Sequence, residues 1–264
     1  MTMKKCLLGL ALLLLGNDLS AQPFECVTPG TKLYYEIHNK KGKVTDCQQT
    51  TVLGIEERDS CRVIAQLAVY FDKEWNPLTD KNGIVIEPDS TEAIWGKKGI
   101  NGNISYYIGG RGTPIDRKTV DLLESRGYEY VFRSNGSREY IYSDGMIVGD
   151  TLCRYHADDG YRDPGTDESL IMGSTQDAVV YVAAREKVRT PAGTFDCYKI
   201  VAEVDSRIKS PMYNPVEQHK FVEWVARGVG AVRLGEEDKK GRLMDYMELV
   251  KIEWPGEDVS QTGR

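Results

Sequence analysis

The sequence predicts a mostly β protein: one large antiparallel curved sheet or open barrel with one short helix. Three observations carry this. β-Branched and aromatic residues alternate with polar ones through most of the chain, and turn-forming Gly, Asn, Asp and Pro punctuate the runs. Only one segment carries a helix start and a helix stop together. The last third reads as five strands in succession, which must bury one face by closing part-way into a barrel or by receiving a helix.

The first segment is an address. Lys4 and Lys5 precede an apolar run from Leu7 to Leu15, too short for a membrane span of ~20 helical residues. Leu19-Ser20-Ala21 offers a cleavage site, so residues 1–21 are expected to be a signal peptide and the mature chain to begin at Gln22. Neither Cys6, preceded by Lys5, nor Cys26, preceded by Phe24-Glu25, sits in a lipobox. The expected product is an exported chain without a lipid anchor or transmembrane segment, in the periplasm of a Gram-negative bacterium or secreted. We expect a single β domain over 22–254 and a flexible tail over 255–264.

Leu33, Tyr35 and Ile37 alternate on a first strand, Lys40-Lys41-Gly42-Lys43 turns it, and Thr50 to Leu53 continues a second. Glu56 to Ser60 turns into a third strand over Cys61 to Phe71. Asn76-Pro77 and Lys81-Asn82-Gly83 mark further turns. A short strand is expected over Asn103 to Ile108. Thr113 can cap a helix that Pro114 opens and Gly127 closes, so a helix is expected over 114–126. Asn135-Gly136 accepts the positive φ angles of a type I′ turn and predicts a hairpin between Tyr128–Arg133 and Arg138–Tyr142. The final strands are expected over Ala178–Arg189, Thr194–Ile208, His219–Ala226, Val229–Leu234 and Arg242–Trp254. In the third of these, Phe221 reads as alternating against polar Glu223.

Composition excludes some functions. The net charge of −6 becomes slightly more negative once the signal leaves, without the basic stripe that nucleic acid needs. Cys26, Cys47, Cys61, Cys153 and Cys197 remain; an odd number leaves at least one thiol free, and Cys197 reads as a buried one. No C-x-x-C pair points to a redox or zinc site.

Four motifs together resemble a known family. Gly30-Thr31-Lys32-Leu33-Tyr34-Tyr35-Glu36 with Lys41-Gly42-Lys43, Val148-Gly149-Asp150-Thr151-Leu152, Thr190 to Ile200, and Trp224-Val225-Ala226-Arg227-Gly228-Val229-Gly230 resemble, in this order, the TapB-like exported proteins of Gram-negative bacteria. Val225 stands where that pattern usually has an aromatic. The resemblance implies an antiparallel open β-barrel akin to lipoprotein-carrier folds. It implies no catalytic residues.

The residues themselves offer little chemistry. His38, His156 and His219 lie outside any metal-ligand spacing, and no G-x-S-x-G elbow exists. Asp158, Asp159, Asp163, Asp167 and Glu168 crowd the segment Arg154–Glu168, read as a solvated acidic loop because calcium-loop spacing is missing. Trp75 and Trp95 fall in turn-rich segments and Tyr106-Tyr107 on a strand. These four are the candidate ligand-binding residues, since exposed aromatic rings bury much area in docking. No catalytic residue, metal site or cofactor is expected. The expectation is a non-catalytic cell-envelope protein that shelters a lipid or peptide ligand, or a protein partner, on a curved sheet. A structural interaction protein of an envelope assembly is the alternative, and a hydrolase with an unrecognised site is the third. An open apolar cavity favours the first, a filled barrel with exposed aromatics the second, and a cleft placing His156 or His219 beside Ser and Asp the third.

Overall fold

The computed structural model describes residues 23–59, 61–80, 82–95, 104–107, 122–135, 139–143, 145–165, 170–209 and 215–256. Its strands are β1 (Lys32–His38), β2 (Val44–Arg58), β3 (Cys61–Asp72), β4 (Asp89–Trp95), β5 (Ile104–Tyr107), β6 (Glu129–Asn135), β7 (Glu139–Tyr142), β8 (Thr151–Arg162), β9 (Leu170–Thr190), β10 (Gly193–Lys209), β11 (Val216–Ala226), β12 (Gly230–Glu237) and β13 (Leu243–Glu253). They form one antiparallel sheet in the order β6-β8-β9-β10-β11-β12-β13-β1-β2-β3-β4-β5-β7. The sheet is curved and does not close. Its two edges, β6 and β7, are nonetheless consecutive in the chain. The link from Asn135 to Glu139 spans at most about 14 Å of extended backbone, so the edges approach each other there.

The centre of the sheet is buried on both sides. β10 sends Cys197 and Val201 into one cluster, with Leu33, Tyr35, Val52, Val222, Trp224 and Leu249. Ile200 and Ala202 enter a second cluster with Phe24, Tyr142, Val180, Val182 and Val225. Neighbouring residues of a strand face opposite ways, which is why the run Ile200-Val201-Ala202 is apolar without alternation. β9 and β10 run 21 and 17 residues. Their turn is the expected one: Thr190 pairs with Gly193, leaving Pro191 and Ala192 at the tip.

Four tight turns share one construction. Asn39, Asp72, Asp80 and Asp238 each accept backbone N–H groups from the second and fourth residues beyond, at 2.8–3.3 Å. The residue three beyond each takes a positive φ: Gly42 (69°), Trp75 (63°), Gly83 (79°) and Gly241 (74°). Glycine takes this angle without penalty. Trp75 occupies in its turn the place that glycine fills in the other three.

Several expectations need correction. Asn135-Gly136 does not close a hairpin: β6 pairs with β8 and β7 with β5. Local turn preference is overridden because Tyr142 is fully buried in the second cluster, its hydroxyl donating to Glu223 Oε2 at 2.8 Å. The expected acidic loop is mostly strand β8. Tyr155 and Ala157 turn inward while His156 and Asp158 turn outward, so Asp158 and Asp159 are strand positions on opposite faces, Asp163 follows the strand, and Asp167 and Glu168 lie outside the described residues. Phe221 is 41% exposed, and Val222 and Trp224 are the inward residues of β11. Of the helix expected over 114–126, the described part is one turn, Leu122–Ser125. Gly127 ends it (φ 82°), with Tyr128 N–H donating to Leu123 O at 3.1 Å and Gly127 N–H to Glu124 O at 3.0 Å. The signal peptide and residues 257–264 of the tail lie outside the described residues. The five cysteines among the described residues are free thiols, and Cys197 is buried as expected.

Candidate functional site

Strands β8 to β12 frame an open cavity of about 1090 Å³. The strands bring outward-facing polar positions together in rows, so Asp177 and Val179 of β9, Glu203 and Asp205 of β10, and Gln218 and Lys220 of β11 all line it. His156 of β8 and His219 of β11 line it too. Seven of its lining residues are Asp or Glu and three are Lys or Arg, so its field is negative.

The carboxylates are held by internal partners. His156 Nδ1 lies 2.8 Å from Asp177 Oδ1, and His219 Nδ1 lies 2.8 Å from Glu236 Oε1. The hydrogen bond to Asp177, aided by the charge of Asp158, raises the His156 pKa above the usual histidine value. Gln218 donates to Asp205 at 3.0 Å, and the Tyr181 hydroxyl donates to Glu203 at 2.9 Å. Glu237 is the enclosed member, its side chain 5% exposed, with Lys199 Nζ at 2.6 Å and Lys220 Nζ at 3.0 Å. Burial pushes its pKa upward, but the two ammonium groups outweigh burial and hold it below the ordinary glutamate value. Lys199 also lies 4.9 Å from the Trp224 ring centroid, and Trp224 Nε1 donates to Glu186 at 2.6 Å.

Both histidines thus meet carboxylates. No Ser, Thr or Cys is among the described residues that line the cavity. Among the described residues, no group of three or more His, Cys, Asp and Glu is placed to hold a metal ion. The acidic side chains of β8 turn to protein donors: Thr175 to Asp158 at 2.7 Å, Tyr130 to Asp159 at 2.6 Å.

The aromatic candidates fall on three separate elements. Trp75 sits in its turn after β3, 5.6 Å between ring centroids from Tyr34 and 5.6 Å from Phe71. Trp95 ends β4 rather than lying in a loop, paired with Arg62 and Ile104. Tyr106 and Tyr107 lie on β5, opposite Tyr140 and Glu139. The cavity residues carry no motif. The signal that would find them is the charged alternate positions of the three long strands, Asp177, Glu203, Asp205 and Lys220, read as one face.

A family model described as DUF3108-like matches residues 177–249, from within β9 to within β13. The match includes most of the cavity strands and two of the four motifs read from the sequence. No curated protein matches the chain. Two solved structures are similar over 88% of this chain and 99% of their own, each at 18% identity. One is a Bacteroides fragilis protein described as exported and YmcC-like in fold, with a TM-score of 0.53. The other is a Parabacteroides distasonis protein described as a lipoprotein, with a TM-score of 0.54. This chain thus holds a DUF3108-like segment and shares the fold of these two proteins.

Proposed function

We propose that the protein is an exported, non-catalytic binding component of the cell envelope, and that its ligand is polar rather than an acyl chain. The observation that carries this is the lining of the cavity between β8 and β12: a volume of about 1090 Å³ in which ten Asp, Glu, Lys and Arg residues stand beside Ala178, Val179, Val204 and Met244. An acyl chain entering it would strip water from those charges, a cost that their pairing with one another offsets only in part. A ligand with several hydrogen-bonding groups meets donors and acceptors already fixed by their neighbours. The pairing of His156 and His219 with carboxylates, with no Ser, Thr or Cys among the described lining residues, favours binding over acyl transfer. The descriptions of the two structural neighbours, one as exported and one as a lipoprotein, support the envelope address, as does the signal read at residues 1–21. Native mass spectrometry of the protein purified from its own envelope tests the proposal. We expect a co-purifying polar molecule, lost in a Val179→Trp variant that fills the cavity. A co-purifying lipid retained in that variant would contradict it.

A further inference from the structure

The segment just after the expected cleavage site is seated in the protein without belonging to the sheet. Phe24, Glu25 and Cys26 are 2%, 7% and 1% exposed. Phe24 enters the second core cluster, against Tyr142 and Tyr198 and beneath the Arg227 guanidinium. Cys26 enters the first. The backbone is tied by Gly228 N–H donating to Pro23 O at 2.9 Å and by an isolated parallel bridge from Glu25 to Val229.

Between the two anchors a carboxyl group is buried. Gly230 makes its socket: a Cβ there would lie 2.5 Å from Glu25 Oε2. Burial, then the nearby Glu223 carboxylate, pushes the Glu25 pKa up to about 8. Tyr35 of β1 is raised by burial and by the same two glutamates. Its hydroxyl donates to Ala231 O at 3.1 Å. Tyr142 of β7 donates to Glu223 at 2.8 Å. The charged and titratable groups around Glu25 are therefore Glu223, Tyr35, Tyr142, Cys26 and, over the Phe24 ring, Arg227.

We propose that residues 23–27 form a proton-operated strap, docked when Glu25 is protonated and progressively released as Glu25 gives up its proton to solvent. In the released state Glu25 faces water and has an ordinary glutamate pKa. Its docked value is raised, so docking is fully favoured below about 4.5, and that advantage is lost as pH rises to about 8. One proton leaves for each strap released, so the open population rises about tenfold per pH unit across that window. Release unseats Phe24 from Tyr142 and loosens the β7 edge, which turns a local ionisation into a change at the rim of the sheet.

Hydrogen exchange followed by mass spectrometry on the full mature chain tests this, with rates corrected for intrinsic pH dependence. Protection of residues 24–29 and of the Gly228 amide is expected to fall about tenfold per pH unit between pH 5 and 8, while β10 stays protected. Glu25→Gln, which keeps the neutral shape, is expected to flatten the dependence. Equal pH dependence in the two proteins, or none in the wild type, overturns the strap. Should Glu25→Gln not fold, the infrared carboxyl band of the wild-type protein decides: a protonated carboxyl persisting at pH 6.5 supports the strap, and full ionisation refutes it.

Discussion

Glu237 stays charged because two lysines from different strands reach it. Removing its charge leaves Lys199 and Lys220 facing one another beside a neutral amide. Glu237→Gln is expected to lower stability by about 1.5–3 kcal/mol, the range for hydrogen bonds to charged groups, measured by urea denaturation at pH 7. Because the folded-state pKa of Glu237 is depressed, this contribution is present at neutral pH and fades as pH falls below the usual carboxylate range. The wild type and variant should therefore converge in acid. His156 titrates in the opposite sense: its pKa is raised, so its bond to Asp177 strengthens as it gains a proton. By NMR titration its midpoint is expected above that of a free histidine, and Asp177→Asn is expected to bring it down. Both residues stood in the sequence without a signal. A single His or Glu acquires its partner only through strand register and packing, which set His156 of β8 opposite Asp177 of β9 and bring Lys199 of β10 to Glu237 of β12.

The strands of the last third were the most legible elements, because turns such as Thr190–Gly193 have local chemistry. The turn device shared by Asn39, Asp72, Asp80 and Asp238 was legible too, but only as a repeated spacing of Asx, then Lys, then Gly three residues on. Reading two of the turns from Lys40-Lys41-Gly42-Lys43 and Lys81-Asn82-Gly83 passed over Asn39 and Asp80, the side chains that organise them. Trp75 breaks that spacing and explains why its turn was read only from Asn76-Pro77. Since its φ of 63° suits glycine, Trp75→Gly is expected to be more stable than Trp75→Ala by about 1–2 kcal/mol, reversing the usual loop order. The strand pair β8–β9 makes a second test. Gly160 and Gly173 face each other so closely that a Cβ on Gly160 would lie 2.2 Å from Met172 O. Gly160→Ala is expected to cost about 1–3 kcal/mol by thermal or urea unfolding, whereas Gly54→Ala, with no neighbour within 4 Å, should be near neutral. The Asn135-Gly136 hairpin failed for a different reason. An edge strand's partner depends on how far the whole sheet curls, and no residue near the turn records that.

Across the whole molecule, a sheet buried on both faces at its centre leaves its charged alternate positions to gather at one end of the long strands. That is why the fold class was readable and the site was not. Apolar composition announces a core, whereas a cavity is made by pairing charged positions from β8 to β12 that look like ordinary solvent-facing residues one strand at a time. Cys26 gives the molecule a further constraint: at 1% exposure within the first core cluster, it cannot carry an acyl anchor without leaving the core. The most direct test of the central claim is a crystal structure of the protein purified from its own envelope rather than refolded. The account predicts a bound polar molecule between β8 and β12, within hydrogen-bond reach of side chains such as Glu203 and Lys220. An apolar ligand seated elsewhere in the curve of the sheet, with this cavity holding only water, would contradict it.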